Sequence, residues 1–139
     1  MNQLTYQAFP VQTYDKIRYG DTDRQGHVNN ATLATFLETG RVEILYGVEH
    51  PVLAANCSFV VASLKVDYLK EITWPGTVEI GTGVIRVGSS SIHFYQQIFQ
   101  NDICVSKAWT VSVQVLNRTG KSNPLSETAR QTLQNWILP

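Results

Sequence analysis

The chain has 139 residues, 43% hydrophobic and 16% charged, which is ordinary globular composition and about the size of one domain, so residues 1–139 are read as a single domain. Eleven basic residues balance eleven acidic ones, which excludes a general attraction to nucleic acid or to an anionic membrane surface. No apolar run is long enough to span a bilayer, and the opening Met-Asn-Gln-Leu-Thr-Tyr-Gln lacks the basic-then-apolar order of a secretory signal, so cytoplasmic residence is expected.

Residues 1–10 show no period and read as a lead-in ending at Pro10. Val11 to Tyr19 mixes aromatic, β-branched and charged residues, as a strand with one wet face does. Gly20 punctuates it. From Ala31 to Tyr46 the period becomes helical, with Leu33, Phe36, Leu37, Gly40, Ile44 and Leu45 on one face. That run spans about 24 Å at 1.5 Å per residue, and Gly47 fits its stop. Gly40 costs about 1 kcal/mol of helix propensity against Ala; a close approach of helix backbone to a sheet explains its presence.

Residues 52–56 can form a short helical turn. Phe59–Lys70 then alternates, with Val60, Ala62, Leu64, Val66 and Tyr68 apolar, as a half-buried strand does. Thr77–Val87 and Ser91–Gln100 are the next strands, joined at Gly88-Ser89-Ser90. Asn101-Asp102 is a two-residue hairpin connection to Ile103–Leu116. There Ile103, Val105, Trp109, Val111, Val113 and Val115 share a face, with Lys107 the exception. After the turn Asn117-Arg118-Thr119-Gly120, a C-terminal helix is expected from Leu125 to Ile137. Asn123 is its candidate cap, Pro124 lies at its first turn, and Leu125, Ala129, Leu133 and Trp136 form its buried stripe.

Strand, long helix, four strands at hairpin spacing and a short helix make an α+β chain with a mainly antiparallel sheet. One helix is short cover for five strands about 24 Å wide at ~4.8 Å each. The outer edge of such a sheet invites pairing, which dimerisation through an edge strand would satisfy.

The chemistry concentrates in Arg18-Tyr19-Gly20-Asp21-Thr22-Asp23-Arg24-Gln25-Gly26-His27-Val28-Asn29-Asn30. A carboxylate can act as nucleophile or general base. The first amides of a helix suit negative charge, and asparagines cap helices well. Asp21, two residues before Asp23, would point the same way in an extended segment; it is either a second acid or a solvated loop stabiliser. Gly26 supplies backbone freedom. His27 either holds the loop or serves as an acid. Asp21-x-Asp23-x-Gln25-Gly26 echoes the start of an EF-hand, but Thr32 stands where a bidentate Glu is required, so no metal site is assigned. Cys57 and Cys104 lack metal-ligand spacing and read as two reduced, partly buried thiols. The sequons at Asn30, Asn56 and Asn117 carry no meaning without secretion.

The pattern Asp21-Thr22-Asp23-x-x-Gly26-His27-Val28-Asn29-Asn30, entering a helix, resembles the acyl-CoA thioesterases of the 4-hydroxybenzoyl-CoA thioesterase type. Trp74-Pro75-Gly76-Thr77 and Gly88-Ser89-Ser90-Ser91 sit where such proteins tend to have them, and nearly the whole chain is covered. The resemblance implies the hotdog fold: a five- to six-stranded, mainly antiparallel sheet wrapped around one long helix, plus a short C-terminal helix. It implies hydrolysis of an acyl-CoA thioester with Asp23 as the catalytic carboxylate. The backbone N–H of Asn30 would be the oxyanion donor, with Asn29, His27 and Gly26 as further substrate-binding residues. Neither metal nor other cofactor is implied. The implied assembly is a homodimer or a tetramer of dimers, with active sites across the subunit interface. Coenzyme A carries phosphates, which Lys65, Lys70, Arg86, Lys107, Arg118, Lys121 or Arg130 can meet. Two alternatives stay open. One is a hotdog hydratase or dehydratase using His27 with an acid. The other is a non-catalytic acyl-thioester-binding module.

Overall fold

The computed structural model describes residues 4–139. Its elements are β1 (Val11–Lys16), α1 (Thr32–Leu45), β2 (Cys57–Tyr68), β3 (Thr77–Val87), β4 (Ser91–Gln100), β5 (Ile103–Leu116) and α2 (Glu127–Gln134). The five strands form one sheet in the order β1-β3-β4-β5-β2. Every neighbouring pair is antiparallel. This is the hotdog arrangement, with α1 as the filling. Among the described residues no helix is long and apolar enough to cross a membrane.

The apolar face of α1 buries Leu33, Phe36, Leu37, Ile44 and Leu45, each contributing about 1.5–3 kcal/mol when fully removed from water. The helix lies over β1, β3 and β4. Gly40 is the point of closest approach. A Cβ there would sit 2.3 Å from Thr82 Oγ1 and 2.8 Å from Gln96 Nε2. Neither can yield easily, because Gln96 Nε2 donates to Leu37 O at 2.8 Å and to Thr82 Oγ1 at 2.9 Å in a fully buried site. Gly40→Ala is therefore expected to destabilise the fold by about 1–3 kcal/mol by overpacking, despite its better helix propensity. Chemical denaturation checks this.

Several boundaries differ from expectation. α1 begins at Thr32, with Ala31 at the cap position and no side-chain cap. It ends at Leu45, two residues before Gly47. Residues 52–56 form no helix; the Ala54 N–H donates instead to Gln114 Oε1 at 2.9 Å. α2 starts only at Glu127; Leu125 lies outside it, with its N–H donating to Ser89 O at 2.9 Å. Its cap is Ser126, whose Oγ accepts from the Ala129 N–H, and not Asn123. Leu125, Ala129 and Leu133 are buried as the stripe requires. The lead-in is not idle either. Leu4, Tyr6 and Phe9 cover the sheet's outer face beside Tyr95, Phe99 and Leu138. Asn101 and Asp102 make the two-residue hairpin at φ 52° and 64°, the left-handed pair that this turn needs.

Two strand readings are corrected by irregularities in register. In β2 the pairing shifts between Val61 and Ser63, so one apolar alternation cannot run through the strand. Phe59 and Val61 share a face with Leu64, Val66 and Tyr68, and within this chain most of the strand is exposed. Between β4 and β5 the register shifts at Ile98/Phe99 and leaves Val105 without a partner in the ladder. Val105 joins the α1 core while Trp109 packs with Tyr95 on the opposite face. The freed Val105 carbonyl accepts from the Leu69 and Lys70 N–H groups at 2.9 and 3.1 Å, which fixes where the chain leaves β2.

Candidate active site

The loop before α1 is built around two aspartates with separate duties. A 3-10 turn at Tyr19–Asp21 breaks the extended geometry that would have aligned them. Asp21 is 4% exposed. Its Oδ2 accepts from the Arg18 N–H at 2.8 Å and its Oδ1 from Arg18 Nη2 at 3.0 Å. Burial pushes its carboxyl up, but the two Arg18 hydrogen bonds and the guanidinium charge together hold it below the usual carboxylate range. Asp21 is thus a buried anchor for the turn, neither solvated nor a second acid in the cleft described below.

Asp23 is exposed and carries the tight part of the loop. Its N–H donates to His27 O at 2.8 Å, and Gly26 N–H donates to Asp23 O at 3.1 Å. Gly26 sits at φ 84°, a left-handed conformation that favours glycine. Asp23 Oδ1 accepts from the Gln25 and His27 N–H groups at 2.9 and 3.3 Å. Oδ2 has no partner among the described residues.

Asn29 satisfies the helix start without being its cap residue. Its Oδ1 accepts from the Ala31 N–H at 3.0 Å and its carbonyl from Thr32 at 2.9 Å. The Leu33 and Ala34 N–H groups go to Asn30 O and Ala31 O, both at 3.3 Å. The Asn30 N–H is left with no acceptor among the described residues.

Opposite this loop runs the segment leaving β2. The Val28 N–H donates to Ile72 O at 2.9 Å, and His27 bridges to Thr73. His27 Nε2 lies 3.0 Å from Glu71 Oε2, and its Nδ1 is buried without a hydrogen-bond partner. Between the two segments is a cleft of about 270 Å3. Asp23, Gln25, His27 and Asn30 line it from the loop, and Lys70 and Glu71 from the other side. Val28, Leu33, Tyr68, Leu69 and Ile72 complete the lining. Of the expected site residues, Asp23, His27 and Asn30 are brought together here. Asn29 and Gly26 shape the loop but do not line the cleft. Tyr68, Lys70 and Glu71 lie far along the chain from the motif. Only Lys70 carried a sequence signal, as one of seven candidate cations.

Residues 17–136 match the model of the Thioesterase-like superfamily. The chain belongs to this superfamily. It is 31% identical over 123 residues to an acyl-CoA thioesterase, YbgC, of Haemophilus influenzae, covering 86% of each chain. Among solved structures it is similar to a predicted thioesterase from Bacillus stearothermophilus, at 27% identity and a TM-score of 0.81 over 91% of this chain and 96% of that one. It is also similar to a Thermus thermophilus thioesterase complexed with coenzyme A and Zn. That match has 29% identity and a TM-score of 0.76 over 92% and 94% of the two chains. In this superfamily member no group of three or more His, Cys, Asp or Glu among the described residues is placed to hold a metal ion. Cys57 and Cys104 are free and buried, away from the cleft. Among the candidate cations, Lys65 pairs with Asp67 at 3.5 Å and lies over the Trp109 ring, and Arg130 donates to Gly88 O at 2.7 Å. Lys70 is the one at the cleft.

Proposed function

We propose that this chain hydrolyses an acyl-CoA thioester to the free acid and CoA. The observation that carries the reading is one cleft lined by Asp23, which has a free carboxylate oxygen, and by Asn30, whose backbone N–H has no partner among the described residues. A thioester carbonyl is electrophilic and its thiolate leaves readily, so hydrolysis needs an activated oxygen and stabilisation of the oxyanion. As general base, Asp23 takes a proton from water, the resulting hydroxide oxygen bonds to the carbonyl carbon, and the Asn30 N–H meets the oxyanion. The C–S bond then breaks, and the thiolate leaves and takes up a proton. As nucleophile, Asp23 instead displaces the thiolate to form a mixed anhydride, which water hydrolyses. His27 is the nearby acid for the thiolate, and Lys70 the cation nearest to hand for a CoA phosphate. The chain acts as a homodimer or a tetramer of dimers, joined through an edge strand. Family membership and the relatives named above support the reaction class.

The His27–Glu71 contact favours a second reading, hydration of an enoyl thioester by an imidazole paired with an acid. A thiol-release screen across acyl-CoAs, with an enoyl-CoA included, separates the two. Free thiol is expected. Loss of enoyl absorbance without thiol would replace hydrolysis with hydration, and tight binding with neither would leave a binding module.

A further inference from the structure

Among the described residues, Arg41 is a buried charge that no carboxylate meets. It is 5% exposed. Its Nη1 donates to two neutral groups, Gln96 Oε1 at 3.2 Å and Thr110 Oγ1 at 3.4 Å, and it forms no ion pair. Nε and Nη2 donate to nothing among the described residues, yet neither is sealed from solvent. Arg41 lines a gap of about 70 Å3 together with Glu38, Val60, Val61 and Ser112. That volume takes one carboxylate, or about two waters at ~30 Å3 each. A buried cation is costly unless an anion meets it. Glu38 is exposed and lies beyond ion-pair distance, so it does not supply that anion.

The gap lies on the line an acyl chain takes away from the cleft. Asn30, Ala34, Glu38 and Arg41 follow one another at helical spacing and so share one flank of α1. Leu33 and Tyr68 line the cleft, while Arg41, Phe59 and Val61 line the gap. α1 and β2 therefore run past each other in opposite directions, with the cleft at one end and the gap at the other. On the face of β2 shared with α1, Val61 is 53% exposed and Leu64 40%, apolar surface that an alkyl chain covers favourably. From Asn30 to Arg41 the chain advances about 16 Å at 1.5 Å per residue. The arginine side chain leans back toward the helix start, which shortens the span. An extended chain advances about 1.2 Å per bond, so about eight to twelve bonds join the two ends.

We infer that the gap is the far end of the acyl site, where Arg41 selects a chain that ends in a carboxylate. The substrate class is then the CoA monothioester of a medium-chain dicarboxylic acid. The guanidinium offers its two free donor nitrogens to the terminal carboxylate, and charge-assisted hydrogen bonds of this kind are about twice as strong as neutral ones. A plain alkyl end leaves the buried charge unmet. The inference rests on the thioesterase reading and adds its substrate class.

Calorimetry on the Asp23→Asn chain, which is expected to bind without turnover, tests this with three ligands of one length: decanoyl-CoA, ω-hydroxydecanoyl-CoA and the CoA monothioester of decanedioic acid. The diacid thioester is expected to bind at least about tenfold tighter than decanoyl-CoA, as a hydrogen bond to a charged group allows. Arg41→Met in the same chain is expected to erase the difference. Glu38→Gln removes the like charge that borders the gap and is expected to widen it. Equal affinity for the diacid and decanoyl thioesters overturns the inference and leaves the gap to water. Tightest binding of the hydroxy ligand overturns the carboxylate. If Arg41→Met does not fold, Glu38→Gln decides, and a preference that it leaves unchanged or narrows overturns the role of the gap. None of these affinities depends on turnover. A wild-type chain that releases thiol from none of the three ligands fails the thioesterase reading, while the order of affinities still decides this one.

Discussion

Asp23→Asn is expected to lower kcat for acyl-CoA hydrolysis by about 10²–10⁴, the range for loss of a positioned general base, with the fold unchanged. The structure explains why Asn is the clean replacement. The loop uses Asp23 through Oδ1, which accepts from the Gln25 and His27 N–H groups. An amide oxygen keeps both acceptances, while the charge and the free carboxylate oxygen are lost. Asp23→Ala removes the loop contacts as well and is expected to cost some stability in addition to activity. Steady-state kinetics with circular dichroism on both variants decide the matter. Full activity in both would remove Asp23 from the chemistry and leave it as a loop anchor.

The second large effect is expected from Asn30→Pro. Proline deletes the backbone N–H and nothing else that the fold uses there, because that N–H has no acceptor among the described residues. Asn29 already forms an Asx turn onto Ala31, and Asn-Pro favours turn initiation. Losing one oxyanion donor costs about 10²–10³ in kcat. Asn30→Ala keeps the N–H and is expected to change kcat little. The contrast between the two variants is the measurement, since a side-chain role for Asn30 would lower kcat in both. Equal, near-wild-type kcat in both would move the oxyanion site elsewhere.

Much of the fold was legible because its signals are local. The helical period of 31–46 follows from side chains three and four residues apart. Asn101-Asp102 announces its turn because Asn and Asp tolerate left-handed backbone. Gly40 was readable as a close approach because a mid-helix glycine needs a reason. What failed was phase. The alternation of 59–70 and 103–116 was visible, but the register shifts at Val61/Ser63 and Ile98/Phe99 arise from strand pairing. Nothing inside either strand marks where its faces exchange.

The site divides the same way. The sequence by itself determined the loop from Asp23 to Asn30, because a turn, a glycine at positive φ and a helix start are short-range structures. Tertiary structure alone decided that the Val105 carbonyl catches the chain leaving β2 and that Glu71 reaches His27. The physical reason is that a hydrogen bond or an ion pair between segments distant in the chain depends on where the sheet brings them, and sequence spacing carries no record of that distance.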